Sequence, residues 1–278
     1  MVLRIFILLI LVFVPVLAVW WSRARREKRR RAWRERPFPD AWRSVLERNV
    51  ALYSRLPESF RNELHGLIHI FLEEKHFEGA GGLVLTDEIR LTIAAQACML
   101  LLNRPATLYS RLQSIVVYPH PFDVQTPVVF SPGHYMEDTE TRLGESWHSG
   151  AVVLAWDHVL SSSRDLRDGH NVVLHEFAHQ LDQESGDADG APVLDRASHY
   201  VTWARILNRD YKDLCRRVAQ GRPSFMDQYG AKSEAEFFAV ATEFFFEQPA
   251  LLRSQYPDLY NELKQFYRQD PEQYEEHG

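Results

Sequence analysis

Two histidines four residues apart, with a glutamate after the first, constrain this chain more than any other feature: His175-Glu176-Phe177-Ala178-His179. Only a helix sets such a pair one turn apart on one face. That spacing suits two corners of a zinc tetrahedron, and it leaves Glu176 placed to act on a water bound there. The pattern therefore asks for a helix with apolar backing, and Val172, Leu174, Phe177, Ala178 and Leu181 supply it. An isolated pair at this spacing suits two structural imidazoles bonded to backbone carbonyls equally well. Glu176 and a third ligand downstream tip the reading toward metal.

A catalytic zinc needs that third protein ligand and one open position. The segment from Tyr229 to Phe246 carries Glu234, Glu236 and Glu243. Glu236 and Glu243 are seven residues apart and share a helix face, so one can bind metal while the other orients a ligating histidine. Ser233-x-x-Glu236 also fits a capping box, which would turn that carboxylate back to the backbone. Spacing alone leaves the choice between Glu236 and Glu243 open. Asp187 and Asp189 resemble a fragment of a calcium loop, but no glutamate follows at the required distance, so they read as turn formers.

Around the motif the chain reads as helices, a small sheet, then helices again, an α+β pattern. Apolar residues at helical spacing over 40–75 predict two or three short helices broken near Pro57. Thr86 is a candidate N-cap for an apolar helix running to Leu102, with Cys98 a small buried side chain within it. Ser114–Tyr118, Pro127–Phe130 and Ala151–Trp156 are rich in β-branched residues and read as strands. The last of these, just ahead of the motif helix, is the expected edge for pairing with an extended substrate. Asp168 or Asn171 caps the motif helix, residues 185–190 break it, and further helices are predicted over 196–219, 233–247 and 256–268.

The charge is divided. Residues 1–36 carry +8 and the remainder −14, within a formal total of −6. An acidic body argues against direct nucleic-acid binding. The basic stretch follows an apolar run, Ile5–Trp21, whose 17 residues would span roughly 25 Å as a helix. Trp20 and Trp21 sit where an interfacial aromatic belt belongs, and the positive flank places its own side in the cytoplasm. The expected organisation is a transmembrane anchor over 1–21, a basic juxtamembrane linker over 22–39 and a catalytic domain over 40–278. Within that domain, 40–105 is the helical N-terminal part and 106–278 the core. Such a protein would sit in the inner membrane, single-pass, with its domain facing the cytoplasm. Cys98 and Cys215 make no disulfide framework.

Several strings together resemble one family: residues 75–103 (K-H-F-E-G-A-G-G-L-V-L-T-D-E-I-R and onward), I-V-V-Y-P at 115–119 and G-E-S-W-H-S-G-A-V-V-L-A-W-D-H-V at 144–159. N-V-V-L-H-E-F-A-H-Q-L-D at 171–182, G-D-A-D-G at 186–190 and the Tyr229/Glu236 segment complete the set. The chain resembles the Mlc titration factor A family over about 60–250. These are glucose-regulated zinc metallopeptidases whose core is related to the lethal-factor zincins. The resemblance implies a zincin-like domain with a small mixed sheet, zinc ligands at His175, His179 and Glu236, a general base at Glu176 and an active-site tyrosine at Tyr229. Glu176 would take the proton of the zinc-bound water, and Tyr229 would hydrogen-bond the developing oxyanion.

The implied activity is zinc-dependent hydrolysis of a peptide or protein substrate. The same resemblance implies a rival, a regulatory binding protein that sequesters a transcriptional repressor, with a transcriptional regulator as partner. Glu176 weighs against a pure binder, because a structural zinc site needs no general base. A zinc hydrolase acting on a non-peptide substrate is a third reading.

Overall fold

The computed structural model describes residues 2–104, 108–121, 144–147, 150–186 and 188–277, with side chains described from Phe13 onward and not at 144–147 or beyond Tyr274. The expected strand Pro127–Phe130 and the turn residue Asp187 lie outside these residues. Helix α1 runs over Val2–Arg34 with Pro15 inside it. Among the described residues no helix is long and apolar enough to cross a membrane. The apolar stretch with described side chains runs only from Phe13 to Trp21 before Arg23 intervenes. The transmembrane anchor over 1–21 is therefore not supported, and its first residues lie outside the described side chains.

The basic stretch, expected as a linker, is helical as far as Arg34 and docked. Arg26 and Arg30 both reach Glu74, at 2.7 and 2.8 Å, and Arg36 reaches Glu73 at 2.8 Å. Glu74 lies at the end of α4 (Glu58–Glu74), which follows α2 (Asp40–Asn49) and α3 (Ala51–Arg55). The break between α3 and α4 falls at Leu56-Pro57, as expected for a residue that cannot continue a helix. Gly66 of α4 lies against α1 so closely that a Cβ there would fall 2.5 Å from Arg34 Cγ.

Strand β1 (His76–Gly79) and helix α5 (Asp87–Met99) come next, and the Thr86 hydroxyl caps α5 by accepting from the Ile89 amide at 3.3 Å. With strands β2 (Ser114–Tyr118), β3 (Gly144–Trp147) and β4 (Ala151–Ala155), the described residues form a four-stranded sheet of order β1-β2-β4-β3. β1, β2 and β4 run parallel and β3 antiparallel to β4. Ile115, Val117, Val152 and Leu154 are fully or almost fully buried, as parallel strands covered by helices require.

β4 is an inner strand, not an edge. β3 occupies the side on which substrate pairing was expected, from Gly144 opposite Leu154 to Trp147 opposite Ala151. The sequence G-E-S-W carries no β-branched residue and so gives no strand signal.

Helix α6 (Trp156–Arg164) leads to the motif helix α7 (Val172–Asp182). Helices α8 (His199–Ala219), α9 (Glu234–Glu247), α10 (Pro249–Gln255) and α11 (Pro257–Tyr267) follow. The molecule is mostly helical α+β. Its core joins the sheet, α5, α7 and α9: Phe177 of α7 packs its ring 4.9 Å from Tyr109 and 5.8 Å from Phe71, all three buried. Cys98 is fully buried.

Candidate metal centre

The position of α7 is set just ahead of its first residue. Gly169 holds φ +70° with its Cα against the Phe244 ring, a close approach no side chain would permit, and the chain turns there into Asn171. The Asn171 side-chain Oδ1 accepts from the Leu174 amide at 3.0 Å, a standard cap. Its Nδ2 donates to Gln96 Oε1 at 2.8 Å on α5 and to Glu247 Oε1 at 3.0 Å on α9. Val173, Leu174, Phe177, Ala178 and Leu181 bury the inner faces. His175 and His179 are left on one face, their rings edge-to-face with centroids 4.8 Å apart.

α9 brings the carboxylates. The Ser233 hydroxyl accepts from the Glu236 amide at 3.2 Å, but the Glu236 side chain does not return to the cap. Its Oε2 lies 3.0 Å from His175 Nε2 and 3.3 Å from His179 Nε2, and the two Nε2 atoms are 3.2 Å apart. Glu243, two turns on and buried, stands behind His175: its Oε1 accepts from His175 Nδ1 at 2.7 Å. Glu243 Oε2 also accepts the Asn171 amide and lies 3.3 Å from His170 Nδ1. A carboxylate only accepts, so Nδ1 of His175 carries a proton and Nε2 turns toward Glu236.

These three groups form a set able to hold a metal ion. Bonds of 2.0–2.1 Å at the tetrahedral angle imply donor–donor edges of about 3.3 Å, close to the triangle of Nε2, Nε2 and Oε2. Two imidazole nitrogens and a carboxylate, with one imidazole backed by a second carboxylate, match the donor chemistry of such a site. The geometry separates the two glutamates that spacing left open: Glu236 joins the triangle and Glu243 lies behind it.

The charges agree with this. Burial opposes protonation of His175, but Glu243 and then Glu236 outweigh it and raise its pKa well above the usual value. Burial lowers the pKa of His179 and outweighs its bond to Glu236; among the described residues no second carboxylate is hydrogen-bonded to it. Burial also disfavours the Glu236 anion, yet its bonds to His175 and His179 prevail and hold it at about 2. The cluster thus stabilises positive charge at its centre, and protons and a cation compete for the same atoms.

Glu176 is buried on α7 between the two histidines, and its charge adds to the rise at His175. Tyr229 sits in a 3₁₀ turn, Gln228–Ala231, whose first amides are capped by Asp227 accepting from Tyr229 N at 2.8 Å. Its ring centroid is 5.9 Å from that of His175, its exposure is 42%, and the Lys232 ammonium lies 4.2 Å from the ring centre. All five expected site residues therefore come to one place.

Sequence reading missed His170, Gln96, Glu247 and Lys232. Glu247 was within reach, one turn beyond Glu243 on the face already singled out; the other three give no spacing signal. Asp189 behaves as the expected turn former, accepting from the Ala191 amide at 3.1 Å. At the exit of α7 the Gly190 amide donates to Asp182 at 2.8 Å, while the Trp203 indole donates to the Gly190 carbonyl at 2.9 Å.

A family model described as glucose-regulated metallo-peptidase M90 matches residues 22–268. An uncharacterized protein of Synechocystis sp. is 40% identical over 247 residues, covering 86% of this chain and 89% of that protein. Mlc titration factor A of Pectobacterium atrosepticum is 32% identical over 233 residues, 83% of this chain and 86% of its own length. Mlc titration factor A of Yersinia pestis is 30% identical over 235 residues, covering 83% and 84%.

Proposed function

The chain belongs to the glucose-regulated metallo-peptidase M90 family, and from that premise we propose that it hydrolyses peptide bonds with a zinc ion held by His175, His179 and Glu236. One observation carries the reading: three donor atoms converge at tetrahedral edge lengths with Glu243 fixed behind His175. Bound there, zinc supplies a Lewis acid that polarises the scissile carbonyl and acidifies a water. Glu176 takes the proton from the attacking water and delivers it to the departing amine. The Tyr229 phenol donates to the oxygen on which charge develops, from a position exposed enough to move with substrate. Glu243 keeps the proton on His175 Nδ1, so that Nε2 stays directed at the metal. Among the described residues β3 is the sheet edge beside α7, and an extended peptide has its backbone partner there rather than on β4.

The test compares wild type with Glu176→Ala on a peptide library, with zinc content measured in both. The variant keeps its zinc and loses hydrolysis by at least about 100-fold. Retained hydrolysis would remove Glu176 from the mechanism.

The names of the two Mlc titration factors support a second role, sequestering a transcriptional regulator. Binding of such a regulator that survives in Glu176→Ala would separate that role from catalysis. For location, Phe13, Leu17, Trp20 and Trp21 are exposed on α1 just ahead of the basic run. Apolar-then-basic order of this kind supports attachment to the inner face of an anionic membrane, with the catalytic domain in the cytoplasm. Recovery of the protein in the soluble fraction after cell breakage would reject it.

A further inference from the structure

A second concavity lies apart from the metal cluster, between the start of α4, the turn after α5, α8 and the C-terminal segment. Its volume is about 690 Å³, within the range of small-molecule sites. Phe60, Leu194, Trp203, Phe266 and Tyr274 give it an apolar, largely aromatic wall, and Val193 stands at it 47% exposed.

The ionic groups of this lining are mostly matched. Arg268 bonds Asp195 at 2.7 Å, and Lys264 bonds Asp270 at 2.5 Å. Arg104 is different. Its guanidinium lies 3.9 Å over the Phe266 ring, and among the described residues it forms no ion pair. Among the described residues its buried Nη1 has no hydrogen-bond partner. Burial pushes its pKa down from the ordinary guanidinium value and outweighs the opposing influence of Tyr267, Tyr109, Glu184 and Asp195. An arginine enclosed in this way is seldom left unpaired, because its planar fork matches a carboxylate and stacks on aromatic rings at once. Glu262 is the remaining acid of the lining; its carboxyl is only partly buried, and it repels an anion rather than holding one.

We propose that this cavity binds a small organic carboxylate with an apolar, aryl-sized body, the carboxylate pairing with Arg104 and the body resting on Phe266 and Trp203. The site is separate from the metal cluster and does not depend on the peptidase reading.

The experiment is calorimetric titration of the zinc-loaded protein with 3-phenylpropionate, its uncharged amide and inorganic phosphate. The carboxylate binds, and the amide and phosphate bind at least tenfold more weakly, since one lacks the charge and the other the apolar body. Arg104→Gln weakens 3-phenylpropionate by about tenfold or more, the loss expected for one charge-assisted pair. Val193→Trp fills the cavity from an exposed position and removes binding while zinc content stays full, which distinguishes this site from carboxylate bound at the metal. Glu262→Gln binds at least as tightly as wild type. Absence of saturable binding in the millimolar range, unchanged affinity in either Arg104→Gln or Val193→Trp, or weaker binding in Glu262→Gln would overturn the proposal. Should Arg104→Gln fail to fold, Val193→Trp decides alone.

Discussion

Glu243 holds three donors with two oxygens: the His175 ring, the His170 ring and the Asn171 amide. Each ties the carboxylate to the first turn of α7 or to the residues just before it, so Glu243 sets both the direction of His175 Nε2 and the seat of the helix. Glu243→Gln can reproduce the shape but can present its amide nitrogen to His175 Nδ1, which then loses the partner that fixes its tautomer. Competition with a chelator should show zinc affinity lower by about 10–100-fold. Unchanged affinity would mean that Glu243 seats the helix without tuning the metal. The residue scale is also where the sequence was most legible. That His175 and His179 share one face, with Glu176 between them in sequence, follows from helical geometry alone; the reading of that face as a metal site also needed Glu176 and a third ligand downstream. The choice between Glu236 and Glu243 does not follow from it, because two residues seven apart differ only by two turns of height, and how α9 lies along α7 decides which meets the triangle. Tyr229 lies in a 3₁₀ turn, where no period speaks, and only the family resemblance pointed to it.

Among elements, α1 and α4 are joined by charge as well as by the close fit at Gly66. Burial disfavours the Glu74 anion, but hydrogen bonds from Arg30 and Arg26 prevail and hold its carboxyl at about 2. A carboxyl depressed in the folded state stabilises fully above its unfolded pKa near about 4.3 and loses that contribution as pH falls toward about 2. Discounted for the half-exposed Arg26, the junction contributes on the order of 1–2 kcal/mol. Glu74→Gln should therefore lower stability by about that amount at pH 7 and leave it unchanged near pH 2, as read by urea midpoints at both values. An equal deficit at both pH values would assign the effect to packing. Helices α5, α7 and α9 were legible because each has a side-chain cap and a long apolar run. β2 and β4 were legible from their valines and isoleucine. β1 and β3 were not: H-F-E-G and G-E-S-W become strands only because a neighbouring strand offers them backbone partners. That omission is why β4 was mistaken for the edge.

For the molecule as a whole, the metal triangle joins two elements of the core, α7 and α9, which Asn171, Glu247 and Glu243 already clasp. Stripping the ion should leave the fold standing but less stable. At a metal concentration a thousandfold above Kd the loss is about 4 kcal/mol, or roughly 10 °C in Tm, with far-UV circular dichroism unchanged at 25 °C. Equal melting points with and without chelator would count against resident metal. The division of charge was plain in the sequence, but the basic segment, read there as a linker, is docked as the outer wall of α4. The fit of Gly66 beneath Arg34 therefore decides where this polypeptide can be shortened. A cut near Ser22 leaves the contacts of Arg26, Arg30, Arg34 and Arg36 in place and should release an intact body. A cut beyond Arg36 would uncover Glu73, Glu74 and the groove over Gly66, stripping a partner from the catalytic body rather than trimming a tether.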